Sequence, residues 1–544
     1  MDLRYSKFFF GILIIMFLLT GCGGIKADTK NSDKVHIQAG GQISYGSLQE
    51  PDILNPLLSD MLATAEVGRL VFSGLVTTND KGEWIADLAT QVPTLQNGGV
   101  SQDGLTVTYK LRQNVRWHDG APFTAQDVRF TWQAIMNAKN NIVIRDGYDK
   151  IAAIETPDAY TVEIRFKEYY APYLNLFSTI LPKHVLEAVD INKSQFNRAP
   201  IGTGAFKFKE WRIADAIVFE ANPDYFNGKP SLNTIIYKIF PDPNIMLSHV
   251  KSGEIDIVSN VSLAQLDQVK AVSGFNVLIS PNMIWEHLDF NLEHPFFQDV
   301  RVRQAIALGV DRQALINNVL RNVASPAFSE QSPLSWAYNP AVVSGGRDVA
   351  AARELLVQAG WIQGPDGIFT KDGQKLAFSL ATTSGNKVRE TVAAALAGQL
   401  REIGVVAEVR LLDPAVFFND ILKNRRFDTA LFAWVAGVDP DNQLLWNSQK
   451  IPSSANGYEG QNYSGWRNAE IDSLTTQGAR TIDLETRKLI YFRIQEIMLQ
   501  EYPVIPLYYR ANIDAVKHSV MNYKPNPTPA GNLWNSWELG IAAK

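Results

Sequence analysis

Between Leu105 and Trp117 apolar side chains occupy alternate positions, Leu105, Val107, Tyr109 and Leu111 and then Val115 and Trp117, with Thr106, Thr108, Lys110 and Arg112 between them. A period of two predicts a half-buried strand. After a turn at His118-Asp119-Gly120-Ala121-Pro122 the period lengthens, and Val128, Trp132 and Ile135 share one helical face. Thr124 and Asp127 have the spacing of a capping box at its start, and Phe123 and Val128 hold the positions of a hydrophobic staple.

The same reading predicts a strand-like start at His36 to Ser47, a break at Glu50 to Pro56, and a short helix from Met61 to Phe72. Pro200 to Phe208 is a glycine turn entering a strand, and strand-rich sequence continues to about Phe240, where Pro241 and Pro243 interrupt it. Beyond Trp285 to Asn291 the pattern turns mostly helical. Asp299, Asp311 and Asp348 stand before amphipathic runs, and Gly360 ends the third of them as a left-handed cap. Lys371-Asp372-Gly373 reads as a hairpin turn. A helix from Glu390 to Ile403 stops at Gly404, and Val405, Ala407, Val409 and Leu411 alternate after it. Strands alternating with helices point to an α/β domain with a largely parallel sheet.

The beginning of the chain follows neither period. Arg4 and Lys7 precede an apolar run from Phe8 to Leu19, which is shorter than the roughly 20 residues of a membrane span and has the length of a signal peptide's apolar region. Leu19-Thr20-Gly21-Cys22 then resembles the bacterial lipoprotein cleavage site, whose cysteine thiol carries a diacylglycerol and becomes the first mature residue. The alternative is an ordinary small-residue cleavage site with a chance cysteine. Cys22 is the only cysteine of 544 residues, so no intrachain disulfide forms and a large core must supply the stability. Residues 1–21 are thus read as a lipoprotein signal peptide and the polar stretch 22–35 as a flexible tether. The lipid is the membrane contact this predicts, placing the protein outside the cytoplasm, on the periplasmic side or the outer cell surface.

Composition narrows the function. An apolar fraction of 46% with 20% charged residues is that of a folded chain, and 544 residues call for two or three domains. A net charge of −5 without a basic cluster argues against nucleic acid. Gly202 and Gly204 do not make a nucleotide loop: no glycine-lysine-serine/threonine follows, and Lys207 stands where the dinucleotide pattern needs glycine. No nucleophile elbow and no two-histidine metalloprotease helix is present. The seven histidines are scattered, and the spacing of His287 and His294 is not that of a common zinc motif. No enzyme, cofactor or metal is predicted.

Several segments lie in the order of a known family: Val115-Arg116-Trp117-His118-Asp119-Gly120-Ala121-Pro122-Phe123-Thr124-Ala125, Pro200 to Phe208, Phe290-Asn291, and Asp299 to Ile306 with Asp311-Arg312 behind. Ala359-Gly360-Trp361, Phe427-Asp428, Trp434, Asp439-Pro440-Asp441-Asn442 and Asn462-Tyr463-Ser464 continue it. The chain resembles the family 5 extracellular solute-binding proteins, the oligopeptide- and dipeptide-binding components of ABC importers. The resemblance implies the two-lobed periplasmic-binding-protein fold with a hinge and an extra domain, of class II, cluster C type. By analogy the first lobe combines 36–66, 198–285 and 508–544, the extra domain is 67–197 and the second lobe 286–507. The implied partners are a peptide or other small solute and the permease subunits of the importer, and the protein is expected to be a monomer.

The ligand-binding candidates are Trp434, Gly437, Asp439, Asn442, Trp285, His287 and Tyr463. Trp434 ends a strand that runs into a glycine and proline loop, where an indole either covers a ligand or fills the core. The resemblance implies an aspartate three residues after this tryptophan to pair with a peptide's α-ammonium. Here that position is Gly437, and the loop is one residue shorter. Asp439 either takes over the role or is a turn aspartate before proline. If neither Asp439 nor Asp441 reaches the pocket, the ligand has no free amino terminus, and an oligosaccharide, an opine or a metal chelate becomes the alternative solute. A solute-sensing lipoprotein of the same fold is the rival role. Trp285, His287 and Asp289 share one face of their strand, with Glu286, Leu288 and Phe290 on the other.

Overall fold

The helix marked by Thr124 and Asp127 spans Ala125–Met136, and the Thr124 amide donates to the Asp127 carboxylate at 2.9 Å. Phe123 and Val128 are buried together at its entry, as a staple requires. Asp299, Asp311 and Asp348 likewise cap Val300–Gly309, Arg312–Ala314 and Val349–Gln358 by accepting main-chain N–H groups. Asp372 and Gly373 both have positive φ, 51° and 76°, and close the hairpin between Phe369–Lys371 and Gln374–Lys375. These details belong to a computed structural model that describes residues 36–343 and 345–543. The predicted leader 1–21, Cys22 and the tether to residue 35 lie outside the described residues. Among those described, no helix is long and apolar enough to cross a membrane.

Residues Ile37–Lys544 form one body, organised by an 11-stranded sheet. At one end Val406–Leu412, Ala377–Thr383 and Thr429–Val435 lie parallel, because the helix Lys387–Glu402 carries the chain back across the sheet. Thr429–Val435 then pairs antiparallel with Phe275–Phe290, and that strand pairs antiparallel with Val504–Lys517. At the other end the sheet passes through Ile257–Val258, Gln42–Ser47, Thr234–Ile239, Ala216–Ala221 and Phe206–Arg212. The sheet is therefore mixed: the parallel pairing expected of an α/β domain holds for the three strands at the first end, and antiparallel pairing begins beyond them. The two long strands at its centre and the hairpin-linked strands at its far end are antiparallel.

Those two long strands connect two lobes. Their register is broken between Pro281 and Trp285 and again between Glu286 and His287. Before the break Phe275 to Pro281 faces Lys517 to Ala511; after it Trp285 to Asp289 faces Tyr509 to Val504. The first lobe's core gathers Ile43, Tyr45, Leu70, Phe206, Phe219 and Tyr237. The second lobe packs apolar side chains on both faces of its part of the sheet, Leu288, Leu431 and Leu507 on one side and Trp285, Val504 and Tyr509 on the other.

A further small core, including Val107, Tyr109, Trp117, Val128 and Ile164, belongs to the three-stranded sheet of Thr106–Lys110, Thr161–Phe166 and Ile151–Asp158. The strand expected to run from Leu105 to Trp117 stops at Lys110, since Leu111 leaves to bridge Ala89 and Arg116 turns to bridge Pro122. Its inward positions from Val107 to Trp117 remain buried, while Leu105 is partly exposed. Gly202 and Gly204 press against the end of the helix Leu62–Val71, where a Cβ at Gly202 would collide with the Val71 carbonyl oxygen. The glycines serve backbone contact, with the Gly204 amide donating to that same oxygen at 2.8 Å.

Candidate functional site: an aromatic and acidic cleft beside the crossing strands

In the strand pair of the second lobe, Trp285 stands opposite Trp434 and His287 opposite Phe432. Both tryptophans reach the sheet's upper end, where Thr429–Val435 gives way to the loop 436–442. There they line a cavity of about 170 Å³ together with Gly437, Asp439, Asp441 and Asn442. Five of the seven residues singled out in the sequence thus converge. Trp434 is only half-buried: Tyr463 stacks on it at 5.8 Å with the ring planes 16° apart, Phe432 meets it edge-on, and the remainder borders the cavity. It both fills the core and walls the cleft.

His287 and Tyr463 are not among the cavity's walls. His287 is fully buried beneath Trp285, stacked at 4.2 Å, and burial pushes its imidazole down to about 3, so it is neutral. Its Nε2 lies 3.2 Å from Asp289 Oδ1, whose carboxyl burial holds well above the usual range. Placing His287 at the cleft is corrected by this burial. Strand alternation puts Trp285 and His287 on one face, and only the end of that face is open.

Asp439 does not offer a free carboxylate. Arg487, on the helix Leu484–Glu501, donates to both its oxygens at 2.6 Å, while Arg487 Nε donates to the Gly478 carbonyl, also at 2.6 Å. Both side chains are largely buried, with exposures of 11% and 6%. A bidentate pair of this kind saturates the acid's charge. Gly437 sits in the loop 436–442, and a Cβ there would stand 3.0 Å from the Asp439 carbonyl oxygen. A side chain at 437 therefore needs a wider turn.

Asp441 carries the free charge. It is exposed at the cavity rim and forms no ion pair among the described residues, accepting only the Gln443 amide at 3.1 Å. Crowding by the cleft walls, and then repulsion from Asp439, push its carboxyl up to about 6.

Pattern reading missed Glu330, which lies in the cavity wall and is 2% exposed. Its carboxylate receives Asn442 Nδ2 at 3.1 Å and no cation among the described residues, and burial raises its pKa. The segment is pinned from the crossing strand: the Tyr509 hydroxyl sits 2.8 and 2.7 Å from the carbonyl oxygens of Ser329 and Gln331. The one sequence signal was that Glu330 is the sole charged residue between Arg321 and Arg347.

Two further spaces adjoin the lobes. A cavity of about 540 Å³ shares Asp439 with the first and extends past Trp336, Met283 and Leu484 to Trp84 and Tyr173 of the three-stranded-sheet region. On the reverse face of the crossing strands, a cavity of about 250 Å³ is lined by Glu286, Arg389 and Arg510. Burial alone would raise the Glu286 carboxyl, but Arg510 and Arg389 hold it below its usual value, donating from Nε at 2.9 and 3.2 Å. Among the described residues no three histidine, cysteine or acidic side chains gather as for a metal ion.

Comparison with known proteins gives the same architecture. The family model of the bacterial extracellular solute-binding proteins, family 5, matches residues 83–455. The oligopeptide-binding protein AppA of Bacillus subtilis is 30% identical over 529 residues, 95% of each chain. Its solved structure, in complex with a nonapeptide, superposes with a TM-score of 0.73, covering 93% of this chain and all of that one. NikZ of Campylobacter jejuni, solved with Ni(L-His), is also 30% identical, with a TM-score of 0.75 over 92% of this chain and 99% of its own. With one family model spanning most of the body and a relative matched almost end to end, the chain belongs to the family 5 bacterial extracellular solute-binding proteins.

Proposed function

We propose that the protein captures oligopeptides or dipeptides in the cleft beside its crossing strands and delivers them to the membrane subunits of an ABC importer. The observation that carries this is the wall of Trp285, Trp434 and the free Asp441, on a chain aligned over nearly its full length with a relative solved around a nonapeptide. An indole offers a large contact at little conformational cost, and the carboxylate offers a charge-assisted bond to an amino terminus. Closure of the lobes about the register breaks at Pro281–Trp285 and Glu286–His287 then brings the first lobe over a ligand held at this second-lobe wall. Micromolar binding corresponds to about −8 kcal/mol, enough to bias a hinge that costs a few. The first lobe is taken as 36–66, 198–285 and 508–544, the extra domain as 67–197 and the second lobe as 286–507. The protein works as a monomer outside the cytoplasm, held to a membrane by lipid on Cys22 and free to reach along residues 23–35.

A second reading, a non-peptide solute, is favoured by Gly437 and by an equal identity to NikZ. Native mass spectrometry of the purified protein, with release and fragmentation of what it carries, separates the two. A ladder of masses fragmenting into amino-acid residues supports the peptide reading. A single non-peptide mass overturns it.

A further inference from the structure

The cavity lined by Trp285 and Trp434 holds two carboxyl groups to which the described residues bring no cation. Asp439 is matched by Arg487, which leaves Asp441 at the rim and Glu330 in the wall, each without a cationic partner among the described residues. A glutamate 2% exposed is rare unless paired. Here it is met only by neutral donors, Asn442 Nδ2 at 3.1 Å and the Gln331 amide and Ser329 hydroxyl at 3.4 Å. Asn442 Oδ1, also buried, has no hydrogen-bond partner among the described residues. The lining thus presents acceptors and two indole side chains, and among the described residues it includes no lysine or arginine. Such a surface suits positively charged groups rich in N–H donors, since a desolvated cation gains from both carboxylate and aromatic face.

We propose that this cavity receives a ligand head bearing two positive charges, one meeting Asp441 and the other Glu330, and that Glu330 selects for the second charge. This rests on the cleft being the ligand site. The chemistry is shared by a peptide whose first residue is lysine, ornithine or arginine, which adds a side-chain cation to its α-ammonium, and by a free polyamine. Asn442 Oδ1 takes a donor of the inner cation, and the indoles cover the methylenes between the two charges.

The test is isothermal titration of the full chain, purified in detergent, with pentaalanine, with the same peptide carrying lysine first, and with spermidine. The lysine-first peptide is expected to bind at least about tenfold tighter than pentaalanine, the effect of one added charge-assisted hydrogen bond. Glu330→Gln, which keeps the acceptor for Asn442, should abolish that preference, so that this variant binds the lysine-first peptide no tighter than it binds pentaalanine. Asp441→Asn should weaken both peptides. Equal binding of the two peptides would overturn the two-charge head while leaving the peptide reading intact. Binding of spermidine with both peptides rejected would support the head and remove the peptide reading. Rejection of all three would overturn the proposal. The comparison of probes on the unaltered chain decides it whatever the stability of the variants.

Discussion

The pair between Asp439 and Arg487 separates a structural carboxylate from a ligand-binding one. Asp439→Asn leaves the Arg487 guanidinium 6% exposed, still holding the Gly478 carbonyl at 2.6 Å and the Tyr491 hydroxyl at 3.3 Å but with no counter-charge. Removing one member of a buried ion pair costs about 3–5 kcal/mol, because the survivor keeps its desolvation penalty. At about 2–4 °C per kcal/mol for a unit of 150–250 residues, the second lobe's melting transition should fall by roughly 6–20 °C. Circular dichroism melts of the wild type, Asp439→Asn, Arg487→Met and the double variant form the assay. The double variant should recover most of the loss, since two neutral partners strand no charge. Asp441→Asn, which removes a charge that crowding and Asp439 disfavour, should melt no lower than the wild type. An Asp439→Asn protein that melts with the wild type but no longer binds its ligand would refute this assignment and place Asp439 on the ligand.

Trp434→Ala should weaken ligand binding by more than about 1 kcal/mol in titration calorimetry and also lower stability, since the ring stacks on Tyr463; unchanged affinity in the folded fraction would make it core alone. Gly202→Ala, whose Cβ meets the Val71 carbonyl, should cost about 1–3 kcal/mol in urea unfolding, and a neutral result would show that the helix Leu62–Val71 can move aside. Asp514 is buried with its carboxyl raised to about 7, above the 3.8 of a free aspartate, chiefly by burial. The folded state then binds the extra proton, so this group's contribution is full below about pH 4 and is lost as pH rises through 7, by up to about 4 kcal/mol. Unfolding of Asp514→Asn across that range should lack this component, and parallel wild-type and variant curves would refute it.

What could be read in the sequence is whatever neighbours along the chain decide. The cap at Thr124 and Asp127, the hairpin at Asp372-Gly373 and the helix stop at Gly404 are local geometry, and each stands where its residues place it. Alternation along Trp285 to Phe290 likewise assigned the two faces of a strand. It could not say how far along a face the cleft extends, so His287 was grouped with Trp285 although the strand carries it one layer down into the core. The limits of elements set by remote pairing also escaped, as when Leu111 turned away to Ala89.

The cleft's electrostatics were decided by tertiary structure alone. Asp439 looked available because its partner Arg487 lies 48 residues later, on a helix with no sequence link to the loop. Alternation assigned Glu286 only to the face opposite Trp285, and it is Arg389 and Arg510, 103 and 224 residues away, that close on it. Glu330 had no periodic context at all and stands in the cavity wall because Tyr509 pins its segment to the crossing strand. The sequence by itself determined the elements, the family's architecture and the position of the aromatic wall, because these depend on side-chain type and spacing. Which carboxylates remain free to meet a ligand depends on which cations reach them, and only the folded chain brings those together.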